Sequence, residues 1–218
     1  MTLRALRLAG WALISVGTVV LLYLVYALLF TNFATRAAQA ELLEGWQLEV
    51  GVPGVPGVTE LPGDADGDGP PAPPAPGDAV AVLEFARPDR SAPPVHDGPL
   101  FVVAGVGLAE LQRGPGHYPG TAAPGQRGNF AVAGHRTTYG APFFNLDQLQ
   151  PGDQVLVTDR AAVRHTYRVV QQRIVGPADT WVLGPDPLGT GRPTVTLTTC
   201  HPRFSDRQRL IVFAEGER

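Results

Sequence analysis

The stretch that decides the fold is Thr194-Val-Thr-Leu-Thr-Thr-Cys-His-Pro-Arg203, which lies late in the chain. Its β-branched residues favour a strand, and this strand leads through Cys200 into a loop that contains proline. Cys200 is the only cysteine among 218 residues, so it cannot form an intramolecular disulfide. The thiol is therefore a buried inert side chain, an intermolecular bridge or a nucleophile.

The chain around this strand has the pattern of a mainly β domain that begins near residue 79. Short apolar or alternating runs are separated by turns rich in Gly and Pro. They predict strands at 79–85, 100–104, 129–133, 153–158, 162–175, 194–199 and 208–214. Segment 114–120 is predicted as a loop and 142–149 as a short helix. Many short strands with little helix indicate a β-barrel or a β-sandwich.

The N-terminal segment predicts a membrane anchor. The run from Trp11 to Phe30 has 20 residues without a charge, and about 20 such residues span the hydrocarbon core as a helix. Because Arg4 and Arg7 precede this run, the N-terminus is expected in the cytoplasm and the rest outside. A cleaved signal peptide is the competing interpretation, since residues 38–40 (Ala-Gln-Ala) fit a cleavage site. The run exceeds the roughly 7–15 residues of the apolar region of a signal peptide, which favours an uncleaved anchor.

A long connection separates this anchor from the β domain. Residues 34–50 predict a helix just outside the membrane, and residues 51–76, rich in Pro, Gly and Asp, cannot build a core. We therefore expect a disordered linker that holds the domain away from the bilayer. The expected division is a cytoplasmic N-terminus at 1–10, an anchor at 11–33, a juxtamembrane segment with linker at 34–78 and the β domain at 79–218. Segment 64–69 (Asp-Ala-Asp-Gly-Asp-Gly) begins like a calcium loop but has no Glu at position 75, so a solvated linker explains it better.

Charge and composition exclude some functions. The net charge is −3 and no basic block exists, so nucleic-acid binding has little support. All 17 basic residues are arginine, which excludes chemistry that needs the protein's own lysine. We expect no cofactor and no metal requirement, calcium included.

Several cysteine chemistries can be tested on the residues. A phosphatase loop needs an arginine six positions after the cysteine, where this chain has Asp206. A zinc site from Cys200, His201 and His135 lacks the paired spacing of zinc ligands. A cysteine protease with a histidine and an Asn or Asp partner stays open, although the papain-type signature is absent. Nucleophilic cysteines need a nearby base or cation, and His135 and Arg209, each beside or within a predicted strand, are the candidates.

These residues together resemble the sortase signature. Thr196-Leu-Thr-Thr-Cys200 is followed nine residues later by Arg209 and is preceded by Ala133-Gly-His-Arg136. Further similarity lies in segments 116–120, 128–140, 149–153 and 166–169, and covers roughly residues 79–214. The His-Pro after the cysteine and the short spacing to the arginine resemble class E, the sortase class of GC-rich Gram-positive actinobacteria.

The resemblance implies a closed eight-stranded β-barrel and a site made by Cys200, His135 and Arg209. Cys200 would attack the Thr carbonyl of a sorting signal to give a thioester, and His135 would exchange protons with the leaving and incoming amines. Arg209 would stabilise the oxyanion or hold the substrate backbone. The expected substrate contacts are Thr196, Thr198, Thr199 and Tyr139, and the expected supporting residues are His201 and His117. Tyr139 is the candidate for preferring a Leu-Ala-x-Thr-Gly signal over Leu-Pro-x-Thr-Gly.

The resemblance also implies partners and a location. The partners would be secreted proteins with a C-terminal sorting signal, the amine of a lipid-linked peptidoglycan precursor, and the membrane through residues 11–33. The catalytic domain would then be extracellular on a single-pass anchor. Two alternatives stay open: a cysteine peptidase that releases its product by hydrolysis, and a catalytically silent barrel that binds at the cell surface.

Overall fold

The computed structural model describes residues 3–50, 74–89 and 91–217. The expected linker and the acidic motif at 64–69 fall largely outside these residues. The elements are listed in chain order: α1 (Leu3–Glu49), β1 (Ala79–Ala86), β2 (Leu100–Ala104), α2 (Leu108–Arg113), β3 (Gly116–His117), β4 (Asn129–Ala133), β5 (Gln154–Asp159), β6 (Arg164–Val175), β7 (Thr194–His201) and β8 (Gln208–Gly216). Short 3₁₀ helices lie at Leu146–Gln148 and Thr180–Leu183.

The strands close into a single barrel in the order β1-β2-β3-β4-β7-β8-β6-β5, which confirms the predicted eight-stranded architecture. Most neighbours are antiparallel, but β2 pairs with β3 and β4 pairs with β7 in parallel. The parallel β4–β7 pair matters most for the site. It aligns the ends of the two strands that lead to His135 and Cys200.

The sequence-based strand pattern was wrong at β3, where we expected a loop. This strand has two residues, too few for any periodic signal, yet it completes the barrel between β2 and β4. Gly116 is required there because a Cβ atom would lie 2.2 Å from the carbonyl oxygen of Gly105. The helix predicted at 142–149 is only the 3₁₀ turn Leu146–Gln148.

Strand alternation divides β7 and β8 between an inner and an outer face. Val195 and Leu197 of β7 join the barrel core, while Ile211 and Phe213 of β8 belong to a separate outer cluster. Residues of the β6–β7 connection, including Val182, cover that outer cluster. Cys200 has the same parity as the outward positions of β7, so the barrel places it on its outer surface beside this connection.

Helix α1 continues without interruption beyond its apolar half and packs on the barrel. Leu42 and Trp46 are buried in a cluster with β1 and β2 residues, and the Trp46 ring meets Phe101 edge to face at 6.1 Å. Gln39 Nε2 donates to the carbonyl oxygens of Phe101 (3.0 Å) and Arg113 (2.9 Å), and its Oε1 accepts from the Phe101 N–H. The domain is therefore docked on the helix, whereas the linker was expected to hold it away.

Candidate active site

Cys200 is the next-to-last residue of β7 and carries a free, half-buried thiol. Its register partner across the β7–β8 pair is Arg209. Directly opposed residues of an antiparallel pair place their side chains on the same face, about 4.5–5.5 Å apart at Cβ. The barrel therefore presents the thiol and the guanidinium side by side on its outer surface.

Arg209 has hydrogen-bond partners but no carboxylate partner in the part of the chain that the structure describes. Its Nη1 donates to the backbone oxygens of Asp206 (2.8 Å) and Gln208 (3.0 Å). None of the ion pairs of the described residues involves it. The positive charge is thus held at the strand start by main-chain acceptors and stays available to a developing negative charge.

His135 follows β4 and is brought to Cys200 by the β4–β7 pairing. The Gly134 N–H donates to the carbonyl oxygen of Thr198 (3.0 Å), and Thr199 Oγ1 donates to the carbonyl oxygen of Gly134 (2.7 Å). These two bonds fix the residue before His135 directly against the residues before Cys200. The sequence predicted that His135 and Cys200 each lie at a strand end, and the pairing of β4 with β7 brings these two ends together.

Burial favours the neutral form of the His135 ring, and one of its nitrogens has no hydrogen-bond partner among the described residues. Burial lowers the pKa of His135 below its ordinary value of 6.5, because the charged form loses hydration. Within residues 3–50, 74–89 and 91–217, Nε2 is buried without a hydrogen-bond partner. An unsatisfied buried polar atom costs about 1–3 kcal/mol. Such a cost is expected where the nitrogen serves a reaction.

The predicted substrate threonines have different surroundings. Thr196 is completely buried, and its Oγ1 donates to Asn129 Oδ1 (2.7 Å). Thr199 is also buried and is bonded to Gly134, as described above. The prediction needs correcting for both side chains, since neither exposes a hydroxyl to a substrate. Thr198 is 4% exposed, shares the face of Cys200, and its Oγ1 lies 3.2 Å from the Tyr118 hydroxyl.

A shallow groove of about 60 Å³ runs beside Thr198 and Arg209 on this outer face. Tyr118 and residues of the β6–β7 connection, Asp179 and Leu183 among them, form its other sides. Asn129 fixes that connection, because its Nδ2 donates to the carbonyl oxygens of Val182 and Gly184 (3.0 Å each). The groove therefore combines the polar groups of Tyr118, Thr198 and Arg209 with apolar side chains of the β6–β7 connection.

Arg136 is the residue that sequence reasoning missed. Its side chain is 2% exposed and forms an ion pair with Asp147 at 3.1 Å. Nη1 also donates to the carbonyl oxygen of Cys200 (3.2 Å) and lies 3.1 Å from His201 Nδ1. The sequence shows that an arginine follows the candidate histidine, but it does not show that this arginine is buried.

The supporting histidines lie in separate places. His201 faces away from Cys200 and contacts Arg136, so it lies on the opposite face of β7 from the thiol. His117 Nε2 lies 2.9 Å from Thr121 Oγ1, and its ring packs on Phe130 at 4.8 Å. Its contacts therefore stabilise the loop after β3.

Tyr139, predicted as a substrate contact, lies with its ring against His135 at a centroid distance of 4.9 Å. Its hydroxyl accepts a hydrogen bond from Gln112 Nε2 at 3.3 Å. Tyr139 therefore lies beside the candidate histidine. Its expected role in selecting one sorting signal over another stays a prediction. In the described part of the chain, no group of three or more His, Cys, Asp or Glu side chains has the arrangement of a metal site.

A closed β-barrel with one outward cysteine, an arginine opposite it and a half-buried histidine on the neighbouring strand end defines a class: enzymes that use a cysteine nucleophile. The family model described as "Sortase domain" matches residues 94–217 of the chain. The chain therefore belongs to the sortase family of cysteine transpeptidases.

The similar proteins include class E sortases. Sortase SrtE1 of Streptomyces coelicolor is 31% identical over 97% of this chain and 57% of its own length, so this chain spans little more than half of that relative. Sortase SrtE2 of the same organism is 30% identical, with 97% of this chain and 82% of that protein covered. The solved sortase E of Streptomyces avermitilis is 37% identical, has a TM-score of 0.55, and the match covers 66% of this chain and 91% of that one.

Proposed function

We propose that this protein is a membrane-anchored transpeptidase that cleaves a C-terminal sorting signal between Thr and Gly and transfers the protein to a cell-wall amine. Family membership supports the reaction class. The observation that carries the assignment to these residues is the buried, unpartnered Nε2 of His135 on the strand end next to Cys200. It provides a proton acceptor without a competing partner.

The thioester step follows from these groups. Cys200 Sγ attacks the Thr carbonyl, and its proton passes to the neutral His135 Nε2. The C–N bond to Gly breaks, and His135 returns this proton to the leaving amine. Arg209, which cannot act as a base at neutral pH, stabilises the oxyanion or holds the substrate backbone.

The second step reverses this sequence. The incoming amine attacks the thioester, its proton goes to His135, and the C–S bond breaks to regenerate the thiol after proton return. Arg209 again faces the negative oxygen. The acceptor would be the amine of a lipid-linked peptidoglycan precursor.

The sorting signal would lie in the groove beside Thr198. An extended peptide there passes the Tyr118–Thr198 hydroxyl pair on one side and Arg209 on the other. The similarity to class E suggests a Leu-Ala-x-Thr-Gly signal, with Tyr139 as the residue that recognises the backbone amide absent from proline.

The proposed location is the cell membrane. Helix α1 contains a segment long and apolar enough to cross a bilayer, a property that a signal sequence shares. Arg4 and Arg7 precede it, which supports a cytoplasmic N-terminus and an extracellular catalytic domain.

The direct test uses the full chain in detergent with a sorting-signal peptide. Intact-mass measurement should detect an acyl adduct on the wild type and none on Cys200→Ala. His135→Ala and Arg209→Ala should each reduce transfer strongly, while Arg207→Ala, at an exposed arginine in the loop just before β8, serves as the control. Adding an amine acceptor should give the transfer product. Hydrolysis alone with every acceptor would favour the peptidase alternative, and absence of an adduct would contradict the proposed chemistry.

A further inference from the structure

The loop that follows His135 has an unfavourable backbone conformation. Three successive residues lie in the left-handed region: Tyr139 (φ 50°), Gly140 (φ 73°) and Ala141 (φ 46°). Only the glycine adopts this region freely, so Tyr139 and Ala141 are strained there. Such a conformation persists only where the surrounding structure holds it, so the contacts of this loop are informative.

Helix α1 provides contacts that hold the loop. Asn32 Oδ1 accepts a hydrogen bond from the Gly140 N–H at 2.9 Å. Thr35, which is 5% exposed, packs so closely that a Cβ at Gly140 would lie 3.2 Å from its Cγ2. Thr35 Oγ1 also donates to the carbonyl oxygen of Gln112 (2.8 Å), and Gln112 Nε2 donates to the Tyr139 hydroxyl.

The loop closes through its own backbone hydrogen bond from the Ala141 N–H to the carbonyl oxygen of Thr138 (2.9 Å), and its helix-facing side borders open space. A cavity of about 320 Å³ lies there, between Asn32, Arg36, His96 and Tyr139. Over much of this side the loop is therefore not supported by close packing, which makes the individual hydrogen bonds important.

The orientation of His135 depends in turn on Tyr139. The Tyr139 ring packs against the imidazole, and Thr138 Oγ1 makes a long 3.5 Å approach to its Nδ1. Thr138 lies in the same loop. A shift of this loop would therefore move both groups that fix the ring.

We infer that Asn32 of the membrane helix is a positioning residue for the reaction: by holding Gly140, it keeps Tyr139 against His135. This inference rests on the proposed role of His135. It means that the outer half of α1 is part of the catalytic unit as well as an anchor.

The test uses the full chain in membranes or nanodiscs and separates kcat from KM for transfer of a sorting-signal peptide. Asn32→Leu keeps the size but removes the acceptor, and should lower kcat about tenfold with little change in KM, since small misplacements of reacting groups can cost up to about a hundredfold. Asn32→Asp keeps an acceptor oxygen and should restore kcat. Phe33→Leu, on the neighbouring exposed side chain, should behave as wild type.

A double variant tests whether Asn32 acts on His135 through Tyr139. If Asn32 acts through Tyr139, then Tyr139→Leu should lower kcat similarly, and the two changes together should cost no more than the larger single effect. Wild-type kcat in Asn32→Leu, failure of Asn32→Asp to restore it, or fully additive losses would each overturn the inference. Full activity of His135→Ala in the same assay would instead contradict the proposed function.

Discussion

Replacing Arg136 with methionine tests whether a buried arginine fixes the end of the cysteine strand. Methionine fills much of the same volume without charge or donors, so it limits cavity effects. It removes the hydrogen bond to the carbonyl oxygen of Cys200, the contact with His201 and the ion pair with Asp147. The backbone of the proposed nucleophile would then lose its only charged donor among the described residues.

The expected loss follows from the burial of each partner. A hydrogen bond from a charged group contributes about 1.5–3 kcal/mol when buried. The Asp147 side chain is 40% exposed and keeps its ion pair with Arg203, so losing this contact should cost at most about 1 kcal/mol. We therefore expect a destabilisation of about 2–3 kcal/mol, which lowers the unfolding midpoint by roughly 5–10 °C for a domain of this size.

Thermal unfolding of the full chain in detergent measures this shift, and thioester formation measures its effect on the site. Arg203→Met is the matched control, because Arg203 shares two partners with Arg136, Asp147 and the Phe144 carbonyl oxygen. Its side chain is 34% exposed and its hydrogen bonds do not include Cys200, so it should lose less than about 1 kcal/mol and form the thioester normally. Equal destabilisation by the two variants would refute the argument from burial.

Two further predictions concern the groove and the barrel interior. Asn129→Ala removes both hydrogen bonds to the β6–β7 connection and the acceptor of Thr196. Amides within 176–193 should therefore exchange with deuterium faster than in the wild type, while those of β1 should not. Unchanged exchange within 176–193 would contradict the anchoring role of Asn129. Burial raises the pKa of Tyr167 above its ordinary value of 10.0, so the folded state holds the proton more tightly than the unfolded state and stability should fall as pH rises above 10. Urea unfolding from pH 8 to 11 measures this, and Tyr167→Phe should lack that part of the pH dependence.

The sequence predicted a β-barrel or a β-sandwich and proposed three site residues, and both predictions have identifiable reasons. Seven strands have apolar or alternating patterns long enough to detect, and Cys200, His135 and Arg209 fall at or near strand ends in recognisable motifs. The eighth strand, Gly116–His117, could not be detected because pairing with β2 and β4 alone defines it. The count of eight came from the family resemblance.

Residue roles that depend on burial were harder to predict. Thr196 and Thr198 look alike in the sequence, share a strand face and are both buried, yet Thr196 bonds to Asn129 while Thr198 lies against the Tyr118 hydroxyl beside the groove. Arg136 looks like an ordinary charged residue, although its side chain is buried by packing on segments far away in the chain. Side-chain alternation predicts the face on which a residue lies, but it does not predict which other segments cover that face.

The docking of α1 changes the expected role of the linker. Arg160 Nη2 contacts Glu49 near the end of α1, while its Nη1 donates to the carbonyl oxygen of Ala79 at the start of β1. The two ends of the connection therefore lie together, and its length adds nothing to the distance between the helix and the barrel. Under the proposed topology, Asn32 lies two residues beyond Phe30, a rise of about 3 Å, which places the loop after His135 at the headgroup layer. A membrane-linked acceptor would then reach the site because the helix fixes the height of the barrel, and confinement to the same surface would raise its effective concentration.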